Sequence, residues 1–179
     1  MSTISRAKAL GAASAVALVG PALMTNFLMA ADAMDPGDIA ILNTAIALER
    51  AGIKAYTDAA GTGLLSAPVL AVAKGFLADH TAHRDALIAA VKAGGGTPTE
   101  TTTHLDYPPL KSEADILNFA YVVERTAANT YLSVIPSFKN RDLAKTAGAI
   151  LGVETTHVAI LGYVLKKGTE PYPSSFVSA

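Results

Sequence analysis

From Pro36 to Lys167 the chain reads as four long stretches of helical periodicity, and each carries a Glu or a His in the middle of its apolar seam. The first stretch covers residues 36–60. Its seam is Leu42, Ile46, Glu49, Ile53 and Tyr56, in alternating steps of four and three, and Gly61-Thr62-Gly63 ends it. The second covers residues 66–94, with Ser66 as N-cap and Pro68 in the first turn. Its seam is Val69, Ala73, Phe76, His80, His83, Leu87 and Val91. The third opens at Ser112, with Asp115 in the capping-box position, and ends before Pro136; its seam is Leu117, Tyr121, Glu124, Ala128, Tyr131 and Ile135. The fourth covers residues 140–167 and stops at Gly168, with a seam of Leu143, Ala147, Ile150, Glu154, His157, Leu161 and Val164. An isolated amphipathic helix would keep ionisable groups off that face, so the pattern demands a fold in which the seams meet one another.

The connections say how they meet. The first and third are short, which makes two antiparallel hairpins. The middle one, residues 95–111, is long and rich in Thr and Pro, and is expected to cross the length of a bundle. Its Thr run at 101–103 reads as loop. The two hairpins also repeat each other. Glu49-Arg50 precedes Tyr56 at the offset by which Glu124-Arg125 precedes Tyr131. Leu77-x-x-His80-x-x-His83-x-x-x-Leu87 matches Leu151-x-x-Glu154-x-x-His157-x-x-x-Leu161. Glu49 and His83 are 34 positions apart, Glu124 and His157 33. A pseudo-twofold bundle follows. The composition agrees: 51% hydrophobic, 16% charged, no Trp and little aromatic content suit packed helices better than sheets.

Six seam residues are candidate metal ligands: Glu49, His80, His83, Glu124, Glu154 and His157. Burying carboxylates without partners costs several kcal/mol each, so packing alone does not explain them. Each lies about 11–14 residues from its helix ends, which at about 1.5 Å per residue sets all six at one level. Spacings of three put His80 beside His83 and Glu154 beside His157. Oxygen and imidazole donors from four helices suit iron, manganese or zinc. For the cluster the competing reading is a metal-free buried polar network in a bundle that has lost its function; for His80 alone it is a histidine hydrogen-bonded beside the metal ligands. Tyr56, Tyr121 and Tyr131 are expected mainly to pack. Arg50 and Arg125 are expected at the bundle edge, Arg84 and Asp85 as a helix-surface ion pair, and His104 in a loop.

Glu49 and Glu124 on the first and third helices, with Glu154-x-x-His157 on the fourth, resemble the ligand plan of the ferritin-like di-metal carboxylate proteins. Ala47-Leu48-Glu49 and His80-x-x-His83-Arg84-Asp85 are closer still to the exported bacterial ferritin-like proteins of the desiccation-associated group. The resemblance spans roughly residues 37 to 166. It implies an all-α ferritin-like four-helix bundle, a two-ion site with iron as the foremost metal, and reaction with O₂ or peroxide. The alternatives are metal storage without turnover and a structural or interaction bundle of the cell envelope with a degenerate site. One position departs from the plan: His80 stands where the family has a Glu that usually bridges the metals. That leaves three carboxylates, and Glu154 as the remaining bridging candidate. Asp79 lies about 100° round its helix from the seam and is not expected to substitute.

Before the bundle, Arg6 and Lys8 precede an uncharged stretch from Ala9 to Met24, and Ala31-Asp32-Ala33 offers a small-x-small cleavage pattern. Residues 1–33 thus read as a secretory signal peptide without twin arginines, the alternative being a membrane anchor. An exported, periplasmic protein is expected. The bundle would occupy 34–168 and a Pro/Ser-rich tail 169–179. Zero cysteines exclude disulfides and thiolate sites, and a net charge of −1 without a basic run gives no nucleic-acid footprint. Expected partners are metal ions and, as an open option, further copies of the chain, with membrane contact only through an uncleaved leader.

Overall fold

The computed structural model describes residues 33–165. Apart from Ala33, the leader assigned to residues 1–33 lies outside the described residues, as do the expected end of the fourth helix and the tail at 169–179. The described residues form helices α1 (Pro36–Gly61), α2 (Ala67–Ala93), α3 (Glu113–Val134) and α4 (Arg141–Val164), with a 3-10 turn at Ile135–Ser137. The helix starts follow from local chemistry. Asp35 accepts from the Gly37 N–H, and Asn140 from the Asp142 N–H, each satisfying a backbone donor that the helix leaves free. At α3 the cap is reciprocal: Ser112 Oγ accepts from the Asp115 N–H, and the Asp115 carboxylate accepts from Ser112 and from the Lys111 N–H. Ser66 occupies the N-cap position of α2 but its side chain makes no capping bond; its backbone N–H donates instead to Glu113 across the bundle end.

That contact fixes the topology. Ser66 and Glu113 join the starts of α2 and α3, while buried Asp38 near the start of α1 accepts from the Lys139 and Asn140 N–H groups just before α4. So α1 and α4 start at one end, α2 and α3 at the other. The crossover must therefore return along the bundle, which for α1 is about 39 Å at about 1.5 Å per residue. It does so in extended form along α1. Asn43 pairs with Thr97 and Thr99, Ala47 O accepts from the Thr103 N–H, Arg50 meets Glu100, and Lys54 sits over the Tyr107 ring.

The apolar core lies in layers above and below the polar level. Towards the start of α1 are Leu42, Ile46, Leu87, Val91 and Leu143; beyond Glu49 are Tyr56, Ala73, Phe76, Ala120 and Leu161. The expected seams hold with three corrections. Ile53, Val69, Leu117, Tyr121 and Ile135 are only half-buried, and Val164 is 45% exposed. On α3, Ile116, Ala120, Val123 and Ala127 are buried one column earlier than the expected line. Each helix of a bundle faces two neighbours, so the buried stripe is wider than a single column, and alanines at 120, 127 and 128 allow both columns to face inwards.

Candidate metal centre

All six residues of the expected cluster come together at mid-bundle. Glu49, His80, Glu124, Glu154 and His157 are between 0% and 2% exposed, and the His83 side chain is 12% exposed. They arrange in two overlapping sets. One is Glu49, His80, His83 and Glu154; the other is His80, Glu124, Glu154 and His157. Within each set the donor atoms all lie within 4.8 Å of one another. Glu154 belongs to both sets: its Oε1 is 3.1 Å from His83 Nδ1 and 3.7 Å from His80 Nδ1, and its Oε2 is 3.3 Å from His157 Nδ1. His80 also belongs to both, and its two nitrogens face different carboxylates. Its Nδ1 is 2.7 Å from Glu49 Oε2, and its Nε2 is 3.2 Å from Glu124 Oε1.

These separations fit a metal. Donors bound at about 2.1 Å in tetrahedral geometry stand about 3.4 Å apart, which is the spacing seen across much of the cluster. The hydrogen bonding points the same way. Both oxygens of Glu154 and the Nδ1 of His83 are buried, and although His83 and His157 nitrogens approach Glu154 at 3.1 and 3.3 Å, none of these contacts is aligned as a hydrogen bond. A carboxylate in a dry core is costly unless a cation meets it, and the candidates here are a metal ion or the protonated imidazoles beside it.

The electrostatics follow from the crowding. Burial pushes the histidines down, but the carboxylates beside them win. The His83 imidazole is raised to about 9 by Glu154 and Glu49, and that of His157 to about 10 by Asp79, Glu124 and Glu154. His80 is raised well above its ordinary value by Glu124 and Glu49. Burial opposes ionisation of Glu49 and Glu124 as well, yet their histidine hydrogen bonds hold both below the usual carboxylate range. Glu154 moves the other way: its burial outweighs His157 and His83, and the charge on Glu124 adds to the rise. Three carboxylates and three imidazoles can therefore balance one another in charge when no ion is bound.

Around the cluster the structure adds what sequence spacing did not reveal. Tyr56 and Tyr131 pack as expected, and their hydroxyls also donate to Glu124 and Glu49 respectively, each tyrosine reaching into the opposite hairpin. Asp79, set aside because of its angle to the α2 seam, accepts from His157 Nε2 at 3.1 Å and so turns Nδ1 inwards. Phe76 stacks on the same ring, centroids 3.8 Å apart. Gly52 leaves room for His80: a Cβ there would stand 2.9 Å from the imidazole. Elsewhere the bland readings hold. Arg84 pairs with Asp85, Arg50 with Glu100 on the crossover, Arg125 lies over the Tyr121 ring, and exposed His104 pairs with Asp106 in its loop.

Comparison with known proteins shows the family and the fold. A sequence model described as a ferritin-like domain matches residues 37–167. No curated protein matches the chain. A conserved hypothetical protein from Mycobacterium tuberculosis shares the fold with a TM-score of 0.66 at 24% identity, over 78% of this chain and 96% of that one. A structure described as ferritin-like, diiron-carboxylate proteins from Bacillus anthracis aligns with a TM-score of 0.61 at 22% identity, over 72% and 94% of the two chains.

Proposed function

The chain belongs to the ferritin-like domain family, and on that premise we propose that its mid-bundle cluster holds two divalent metal ions, iron foremost, with manganese or zinc as substitutes. The observation that carries this reading is Glu154: a fully buried carboxylate whose oxygens face the imidazole nitrogens of His83 and His157 at 3.1 and 3.3 Å without an aligned hydrogen bond, set between two groups of nitrogen and oxygen donors. Ferrous iron bound there would supply electrons to O₂ or hydrogen peroxide, the chemistry proposed for the centre.

The chain's own residues prepare for that. Asp79 accepts from His157 Nε2, so that Nδ1, which faces Glu124 and Glu154, would be the nitrogen offered to a metal. Tyr56 and Tyr131 each occupy one carboxylate oxygen, which fixes the rotation of Glu124 and Glu49. The apolar layers on either side exclude water and strengthen the attraction between the carboxylates and a cation. His83, the most exposed of the six, marks the side nearest to solvent.

The layout of Arg6, Lys8, the uncharged run to Met24 and Ala31-Asp32-Ala33 supports an exported, periplasmic location, although it lies outside the described residues. A protein from its native source beginning near Met34 would agree with this, and one beginning at Met1 would contradict it. A second reading, a structural bundle of the cell envelope, draws on the charge balance between the three carboxylates and three imidazoles. Stopped-flow mixing of the anaerobic, ferrous-loaded protein with O₂ or peroxide tests the redox reading. Oxidation faster than that of free iron supports it. Iron that binds and oxidises no faster than in buffer reduces the function to metal holding.

A further inference from the structure

His80 is the residue at which this chain departs from the carboxylate expected there, and the structure shows a place shaped for an imidazole. Its ring lies on α1 against Gly52, and Tyr56, one turn further along α1, stacks near it with centroids 5.5 Å apart and an interplanar angle of 28°. Glycine in a helix interior weakens the helix relative to alanine, so its presence in the middle of α1 calls for a compensating contact. The second hairpin provides the control. Where α4 has Glu154 at the position matching His80, α3 has buried Ala127 at the position matching Gly52. The small residue goes with the large flat ring.

Seated in this way, the ring presents its two nitrogens to different carboxylates: Nδ1 to Glu49, with Glu154 Oε1 beyond, and Nε2 to Glu124. A neutral imidazole has one N–H and one lone pair and cannot donate to carboxylates on both edges. Two arrangements satisfy both edges: a doubly protonated ring acting as an internal cation, or a metal ion between each nitrogen and its carboxylates. Sharing of Glu154 between the same two sets favours the second, because its oxygens also divide between the two groups, Oε1 towards His83 and Oε2 towards His157, without an aligned hydrogen bond to either.

We propose that His80 is a bridging ligand, holding one ion of the pair through Nδ1 with Glu49, His83 and Glu154, and the other through Nε2 with Glu124, Glu154 and His157. This rests on the metal-pair reading above. With an ion on each nitrogen the ring has no N–H, and its proton leaves to solvent as the second ion binds. Gly52 is then a positioning residue: it keeps the ring at a depth where both nitrogens reach their partners.

The test uses the intact protein, labelled with NMR-visible nitrogen in its histidines and loaded with NMR-active cadmium, with signals assigned by the His80→Gln variant. The expected result is two cadmium ions per chain, with both ring nitrogens of His80 split by cadmium, each by a different ion. In Gly52→Ala one of the two splittings should vanish and cadmium affinity fall by about 10–100-fold, the usual size for loss of a ligand-orienting group, with helix content unchanged by circular dichroism. Two bound ions with only one His80 nitrogen split would overturn the bridge and leave the metal pair standing. A single bound ion would overturn it as well. No cadmium bound, with His80 carrying protons on both nitrogens, would overturn the bridge and the metal reading together and leave His80 as a buried cation.

Discussion

In the α3–α4 hairpin His157 is held on three sides: Asp79 accepts from Nε2, Phe76 covers the ring face, and Glu124 and Glu154 approach Nδ1. In the α1–α2 hairpin the matching residue, His83, is more exposed; its Nδ1 stands 3.1 Å from Glu154, but it has no counterpart of the Asp79 contact that orients His157. The repeat explains why. Asp79 immediately precedes His80, and the matching position before Glu154 is Val153, which has nothing to offer an imidazole. The halves agree elsewhere, with Tyr56 donating to Glu124 and Tyr131 to Glu49 in a reciprocal exchange. One duplicated frame thus carries a pre-organised half and a looser half. The half with Glu124 and His157 should take up metal first, because the cost of ordering its ligands is already met in the fold.

The comparison breaks most severely if the shared carboxylate, or the imidazole of the better-held half, is removed. Glu154→Ala and His157→Ala should lower iron affinity by more than about 100-fold, beyond what loss of an orienting neighbour does. His104→Ala, in the crossover loop, should leave metal analysis unchanged. Equal occupancy in all three variants would remove the site as drawn.

Making the halves alike at the other shared position is the next largest change. His80→Glu gives a centre of four carboxylates and two imidazoles. Loss of a buried charge partner costs about 3 kcal/mol, or roughly 6–12 °C in unfolding midpoint for a domain of this size. The metal-free variant should show that loss by calorimetry. The metal-loaded variant should recover it, because the added carboxylate strengthens attraction to the ions.

A subtler exchange sharpens the asymmetry. Asp79→Val should weaken the first-filled position by about 10–100-fold, and Val153→Asp should strengthen the second by a similar factor. Stepwise titration with a divalent metal reads both. If Asp79→Val leaves the first step unchanged, Asp79 does not orient His157.

The smallest expected effect is that of pH on the metal-free protein. His83 and His157 have folded-state values raised to about 9 and about 10, above the ordinary imidazole value. Their contribution to stability is fully present below about pH 6.5 and is lost as pH rises through those folded values. Glu49 and Glu124 are held low, so their contribution is present above the ordinary carboxylate range and lost as pH falls through their folded values. Glu154, raised, works against them over the acid range. The unfolding midpoint should therefore peak in mildly acidic solution and decline towards pH 10. Metal affinity should climb over the same alkaline range, because protons and metal compete for the imidazoles. A midpoint flat from pH 6 to 10 would show that the histidines are not paired as the structure has them.

The fold and the six cluster residues were legible because a helix repeats every 3.6 residues. An ionisable side chain on an apolar seam stands out in one chain read alone, and the long link at residues 95–111 distinguishes a crossover bundle from a simple up-and-down one. Asp79 was not legible. Its angle excludes it from its own helix's seam, and what it supports belongs to α4, 78 positions away in the chain. Gly52 was hidden for a related reason: a glycine among seam residues says nothing of which neighbouring ring needs the space. The tyrosines were half legible, since pattern reveals a buried ring but not the partner of its hydroxyl. The two-edged placement of His80 needed the orientation of a ring between two helices, which no spacing encodes.

All of this turns on whether the cluster holds metal. Anaerobic loading of the intact protein with ferrous iron under reducing conditions, followed by metal analysis per chain, addresses it directly. Two ions per chain, bound in sequence and lost in Glu154→Ala, is the result expected from the overlapping donor sets. A chain that binds no ion at micromolar to millimolar ferrous iron, and whose unfolding midpoint does not move when iron is added, would contradict it and leave a charge-balanced polar core in a structural bundle.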